Sequence, residues 1–551
     1  MEPLKPTIRI VFAGLLLLFG AHASVAQPVA FVNVNVIPMD RERDEVLGAA
    51  QTVIVRGDRI VAIGATTDIA VPDEATIIDG TGRYLLPGLV DGHVHLFGFG
   101  PGPRENFADG PVYLANGITT VVNMGGPSSP RRATELEWKR RVETGALAGP
   151  TIYTAGAFVN EPRVKTPEDV ERDIRSQARE GYDFIKFHEL DDTTTGLSLA
   201  SYRKMIDTAR DIGMPLVGHA PNNLGVDVML DARQPLAHLG NLSNIYFLPL
   251  AAHRGYLLGT ATAFFLLIAV AALSGAPPHS RWIALATFAA FVCLSLFLPG
   301  GPLFESVALR MIVTVLTLLV AIGSVASVVF AVKIWREPRS PMPARMRASL
   351  ASIASVALAL VLTTFWTPVA WRSSARGIDA LATRIHDAGI SVQSTLVVYE
   401  AIGGVNRLYR LPAFNMKVAG ALHRAGVPLV AGTDARGIPQ LAPGTSLHRE
   451  LQLLHESGLT PYETIRAATV APAIFLRKEG EFGTVTVGKR ADLLLVERNP
   501  LQDLSTLKTP LGVMVRGRWL PREHPRDVTT PSARLASAIP GRRTTSGPFL
   551  R

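Results

Sequence analysis

The chain has 551 residues, 48% of them apolar, a formal net charge of +9 and one cysteine, Cys293. This length suits one large barrel with further segments attached, while a single cysteine excludes an intrachain disulfide and any cysteine metal cluster. The basic residues gather beside apolar blocks and in the C-terminal tail without interleaved aromatics, which argues against nucleic acid as a partner and leaves nitrogen and oxygen as the donors for any metal.

Residues 1–27 read as an export signal: Lys5 and Arg9 precede the apolar run 10–19, and Ser24, Val25 and Ala26 offer small residues for cleavage. An uncleaved anchor helix is the alternative, although the apolar run is short against the roughly 20 residues of a span. Residues 28–86 alternate apolar and polar positions around Gly turns, as in VIVRGDRIVAIG, and predict the first part of a small β-sandwich domain.

From residue 87 to 253, and again from 373 to 478, short apolar runs alternate with amphipathic stretches. That alternation predicts an α/β fold, a TIM-like (β/α)8 barrel. Its strands are expected at 89–95, 119–125, 151–156, 184–187, 215–220 and 235–240, then at 391–397 and 428–434, with helices such as 167–179, 199–212 and 377–388 between them. His93 and His95 stand one residue apart on the first strand, so their side chains leave one face and can reach one ion together. Lys186 lies on an apolar fourth strand, where an ammonium needs a partner, a lowered pKa or modification; carboxylation by carbon dioxide would make it an anion able to bridge two metals. His219, His238 and Asp434 end the fifth, sixth and eighth strands, and strand C-termini converge on one mouth of a barrel. His188 shares the face of Lys186 and Tyr399 follows the seventh strand; both are candidate substrate contacts, with rim packing as the alternative.

Residues 254–372 interrupt the barrel after its sixth strand with four apolar blocks, 255–275, 282–298, 311–332 and 349–370, which predict an inserted four-helix transmembrane segment. Lys333, Arg336, Arg339, Arg345 and Arg347 follow the third block, whereas 299–306 has no Lys or Arg. The positive-inside tendency then puts the basic connection in the cytoplasm and both soluble parts outside it, in agreement with the export signal; Arg310 is a mild exception. Residues 479–520, with VMVRGRWL, complete the small β domain, and 521–551, rich in Pro, Ser, Thr and Arg, predict a disordered tail.

The motifs PGLVDGHVHL, YLANGITTVVNMGG, GYDFIKFHE, LAPGTSLHRELQLLHESGLTPYETIRAATVAPA and FGTVTVGKRADLLLV resemble the amidohydrolase superfamily, in particular its imidazolonepropionase-like and prolidase-like members, from about residue 31 to 520 without the insert. The resemblance implies two divalent metal ions, with zinc expected. By it His93 and His95 bind one ion and His219 and His238 the other, while Lys186 bridges them as a carbamate and Asp434 both ligates and moves protons. The implied reaction is hydrolysis of a C–N bond (amide, peptide or lactam) by a metal-bridged hydroxide, on a small-molecule or lipophilic substrate in a membrane-tethered enzyme. An esterase or lactonase using the same site, or a ligand-binding membrane sensor with a non-catalytic barrel, is the alternative. Lys186 argues against imidazolonepropionase activity itself, and AGAFVNEPRVKTP departs from the Gly-Gly-His turn usual in dipeptidase-like members.

Overall fold

Strand β1 (Val29–Val36) is the pivot of the first layer, pairing antiparallel with β2 (Leu47–Arg56) along one edge and parallel with β4 (Thr76–Asp79) and β5 (Tyr84–Pro87) along the other; β2 in turn pairs with β3 (Arg59–Ala65). The computed structural model describes residues 27–40, 46–96, 107–126, 132–189, 196–247, 306–405 and 412–522. The expected signal segment, the first two apolar blocks, Cys293 and nearly all of the expected tail lie outside the described residues.

Eight parallel runs form a closed ring. β6 (Leu89–Val94) pairs with β7 (Ile118–Asn123), and β7 with β8 (Thr151–Thr154). A bridge from Ala155 to Phe184 leads to β9 (Ile185–Phe187), which pairs with β10 (Leu216–Gly218). The sixth run is a single position, Leu236, bridged to Gly218 on one side and to Val392 on the other. β11 (Val392–Gln393) then pairs with β12 (Leu429–Val430), and the ring closes where Gly92 N–H donates to Ala431 O at 2.8 Å and His95 N–H to Ala435 O at 2.9 Å. Closure explains Gly92: a Cβ there would lie 2.5 Å from Val430 Cγ1 and 2.6 Å from Ala431 O. The strands are buried on both faces, which is why they read as apolar runs rather than alternating ones.

The outer helices carry local start and stop signals. Helix Pro167–Glu180 opens with a capping box between Thr166 and Asp169 and a Pro in its first turn, and stops at Gly181, whose φ of 96° suits glycine. Ser198 and Ser374 cap Leu199–Asp211 and Ala375–Asp387 in the same way.

The flanking β segments differ from the expected sandwich. β13 (Leu493–Val496), β14 (Gly512–Val515) and β15 (Arg518–Pro521) extend the N-terminal strands into one sheet of order β15-β14-β13-β5-β1-β2-β3, with β4 beside β1. The cause is β5, which pairs with β1 on one edge and β13 on the other. The sheet curls until Ile60 N–H reaches Lys489 O at 3.0 Å and Phe31 meets Trp519 edge-to-face at 5.2 Å, so its apolar face closes on itself around Val34, Val53, Leu85 and Leu493.

Two helices stand in the described part of the insert, Val307–Arg336 and Met342–Val361, the latter running on to Arg372 through a short π-turn. Both are long and apolar enough to cross a membrane, over Arg310–Arg336 and Met342–Arg372. They are tied together by Ser352 Oγ–H to Ser327 O at 2.8 Å and Trp335 Nε1–H to Ser349 Oγ at 2.9 Å, while Met311, Leu318, Ile322 and Val325 face outward.

Buried Arg490 joins the rolled sheet to the ring, donating to Asp492 Oδ2 at 2.6 Å, Tyr153 Oη at 3.2 Å and Thr120 Oγ1 at 3.3 Å. Replacing it leaves a buried carboxylate without its cation, so Arg490→Leu should cost about 3–5 kcal/mol in denaturant unfolding. Adding Asp492→Asn should recover part of that loss; an unchanged midpoint for the single variant would contradict the assignment.

Candidate metal centre

The ring brings side chains from distant parts of the chain to its C-terminal mouth. His93 and His95 leave β6 with ring centroids 5.5 Å apart, and His238, from the turn after the sixth run, lies 4.3 Å from His93. His219, at the end of β10, stands 5.0 Å from His238. Asp434 Oδ1 is 3.5 Å from His93 Nε2 and 3.2 Å from His95 Nε2. Donor atoms of His93, His238 and Asp434 all lie within 4.8 Å of one another, and all three residues are buried.

The outer nitrogens of the imidazoles are fixed by their partners. His93 Nδ1 meets Gln393 Oε1 at 2.8 Å, and Gln393 is itself oriented because its Nε2–H donates to Gly92 O at 2.9 Å. His95 Nδ1 meets Gly125 O at 3.0 Å and His219 Nδ1 meets Glu189 O at 2.9 Å. Carbonyl oxygens only accept, so these rings carry their protons on Nδ1 and turn Nε2 lone pairs inward. His238 Nδ1 meets Thr395 Oγ1 at 3.0 Å. His93 Nε2 and Asp434 Oδ1 are both buried without a hydrogen-bond partner, lone pair facing lone pair. That arrangement is unfavourable unless a cation lies between them, and this is the ground on which the residues fit a divalent metal.

Lys186 is wholly buried, and Nζ has no hydrogen-bond partner among the described residues. Burial pushes its pKa down to about 7, partly offset by Asp434, so about half of the amine is neutral at pH 7 where an ordinary lysine is almost wholly charged. Burial also holds His93 and His219 well below the ordinary histidine range, and brings His238 to about 3. Burial pushes the Asp434 carboxyl up, but at the acid pH where it titrates a hydrogen bond from protonated His95 and the charges of protonated His238 and Lys186 outweigh it, leaving the group below its usual value.

His93, His95, His219, His238 and Asp434 therefore gather in one buried cluster, and Lys186 is near enough for its charge to act on His93, His219 and His238. Of the two expected substrate contacts, His188 is inside the cluster: its ring stacks on Phe158 at 4.4 Å and lies 4.1 Å from His219. Tyr399 instead packs over Gly240 in the turn after His238, where an added Cβ would meet its Oη at 2.5 Å. Sequence reasoning missed Gln393, whose signal was a polar side chain inside a buried strand, and Thr395, for which no local signal exists.

Residues 344–520 match the amidohydrolase family model. Enamidase of Eubacterium barkeri is 38% identical over 84 residues, 15% of this chain and 22% of that protein. Ochratoxinase of Aspergillus niger is 32% identical over 109 residues, 19% of this chain and 22% of the relative. The chain thus spans 22% of the length of either curated relative. A solved Xaa-Pro dipeptidase with bound methionine in its active site has a TM-score of 0.55 at 16% identity, covering 90% of this chain and all of its own, which shows the fold alone. These findings show a likeness to the amidohydrolase family over residues 344–520 and the fold of a TIM-like barrel, and the curated relatives named are hydrolases acting on carbon–nitrogen bonds.

Lys186 gives the metal-free, carbon-dioxide-free protein a distinctive pH dependence. Between its folded value of about 7 and the ordinary 10.5, the unfolded chain binds a proton that the folded chain does not. Stability from this position therefore rises with pH across that window, by up to about 1.4 kcal/mol per unit, and the penalty is complete below pH 7. Denaturation series from pH 7 to 10 should show this slope in the wild type and its loss in Lys186→Met; equal slopes would contradict the burial argument.

Proposed function

We propose that this chain is a metal-dependent hydrolase of a C–N bond in an amide, peptide or lactam, with its catalytic barrel held at a membrane outside the cytoplasm. The observation that carries the reading is the inward set of imidazole lone pairs facing the Asp434 carboxylate in a dry pocket. His93 and His95 would hold one cation and His219 and His238 the other, with Asp434 as a further ligand and zinc suited to this nitrogen and oxygen set. When bound, such ions lower the pKa of a water and polarise a carbonyl.

Lys186 is suited to become the anionic bridge, because its neutral Nζ can attack carbon dioxide and lose a proton to give a carbamate. Asp434, held anionic, accepts the proton of the attacking water and returns it to the leaving nitrogen as the C–N bond breaks, so one carboxylate serves as base and then acid. His188, neutral and stacked on Phe158, forms an aromatic wall at the edge of the pocket that excludes water and orients the acyl group.

The membrane reading rests on the outward apolar faces of the two described helices and on the basic residues that join them. The insert leaves the barrel directly after His238, at the catalytic mouth, which favours lipophilic substrates such as long-chain acyl amides. Asp434→Asn should keep the fold and most of the metal while lowering turnover of an N-acyl amino acid by at least about 100-fold; wild-type rates in this variant would refute the role. Preference for long over short acyl chains should disappear when residues 248–366 are replaced by a short loop, and an unchanged preference would refute substrate delivery from the bilayer.

A further inference from the structure

The motif LAPGTSLHRELQLLHE, which the proposed chemistry leaves without a role, places Glu450 on the buried face of helix Thr445–Glu456. Its carboxylate reaches the turn that follows β11, accepting from Val397 N–H at 2.7 Å, from Leu396 N–H and from the Ser394 hydroxyl. Between these anchors sits Thr395, buried and with φ at 43°, a left-handed conformation that is rare for a β-branched residue. Thr395 Oγ1 lies 3.0 Å from His238 Nδ1, and His238 is itself left-handed, with φ at 63°. Two strained residues are thus coupled through one hydrogen bond, and the turn that carries one of them is clamped by a single carboxylate.

We propose that Glu450 is a positioning residue for the metal centre: by holding the Ser394–Thr395–Leu396–Val397 turn it fixes the Thr395 hydroxyl as the acceptor of His238 Nδ1–H, which presents the Nε2 lone pair to the cation. The inference rests on the proposed metal centre and extends it to a helix that contributes no ligand. Among the described residues His238 Nδ1 bonds to the Thr395 hydroxyl, whereas His93, His95 and His219 each have a carbonyl oxygen to fix their tautomer. The backbone carbonyls facing His95 and His219 enforce the tautomer without help, and the Gln393 amide facing His93 is held by Gly92 O; a hydroxyl can donate or accept, and so must be held too.

Glutamine can reproduce the clamp, since its oxygen accepts from the two backbone N–H groups and its amide donates to Ser394, whereas leucine cannot. The full-length, detergent-purified protein, stripped of metal, is titrated with cobalt(II) and followed by its visible absorption. The wild type should take two ions per chain. Glu450→Leu and Thr395→Val should weaken one of them by about 10–100-fold, while Glu450→Gln and Thr395→Ser stay close to wild type. The 15N shifts of the His238 ring, read without metal, should report the Nδ1–H tautomer in the wild type and in Glu450→Gln, and a mixture in Thr395→Val. If Glu450→Leu does not fold, Thr395→Val, which keeps the side-chain shape and loses only the hydroxyl, decides. Unaltered cobalt affinity and an unaltered tautomer in Thr395→Val would overturn the inference while leaving the metal centre standing; a wild type that binds fewer than two ions would overturn the two-metal reading itself.

Discussion

Everything in this molecule's chemistry depends on one arrangement: buried imidazole nitrogens and a carboxylate oxygen turn their lone pairs toward one another across 3.2–3.5 Å. In water each would be hydrated, but in the pocket the protons that could separate them are committed outward, to Gln393, Gly125 and Glu189. Only a positive charge resolves the conflict. The same burial depresses the basicity of Lys186, His93, His219 and His238, and outweighs the opposing charge of Asp434 on Lys186 and His238.

The barrel makes such an arrangement achievable because parallel strands deliver their C-terminal side chains to one mouth without requiring neighbouring residues in sequence. The ligands do not ride on ideal strands, however. His238 and Asp434 both adopt left-handed backbone, as does Thr395 beside them, at about 1–3 kcal/mol each. Surrounding bonds hold them there: Thr433 N–H and Asp434 N–H both donate to His93 O, at 3.1 and 2.7 Å, and Asp91 accepts from the Thr433 backbone and hydroxyl. The DG of the DGHVH motif therefore serves closure of the ring, Asp91 by bracing the eighth strand and Gly92 by admitting it.

That strain also marks where the sequence stops being legible. The expected sixth strand, 235–240, shrinks to Leu236 because His238 turns the chain away; in the expected seventh, 391–397, Ser394 N–H still donates to Val430 O at 3.0 Å, but Glu450 captures the N–H groups of Leu396 and Val397, where a helix begins. The eighth, expected to 434, ends its pairing with β11 at Val430 but stays bonded to the first strand through Ala431 and Ala435, with Asp434 in left-handed backbone between them. Apolar periodicity located the runs, and residue type at their ends located the ligands, because both are local properties. Gln393, Thr395 and Glu450 lie 300, 157 and 56 positions from the partners that define them, His93, His238 and Ser394, and no local pattern carries such pairings. The joining of the two terminal segments into one β domain was legible, but not its form: β5 pairs with β1 on one edge and β13 on the other, which makes one rolled sheet in place of a sandwich.

The two apolar helices, Val307–Arg336 and Met342–Val361, lie in sequence between His238 and the helix Ala375–Asp387 that leads to the seventh strand. The account stands or falls on the cations that the pocket requires. The most direct measurement is elemental analysis of the full-length protein purified in mild detergent, together with its His93→Ala/His219→Ala variant. Two divalent ions per chain in the wild type, with the loss of both in the double variant, is the predicted result. A wild type that folds normally, is supplied with zinc and bicarbonate, and still carries no metal would contradict it.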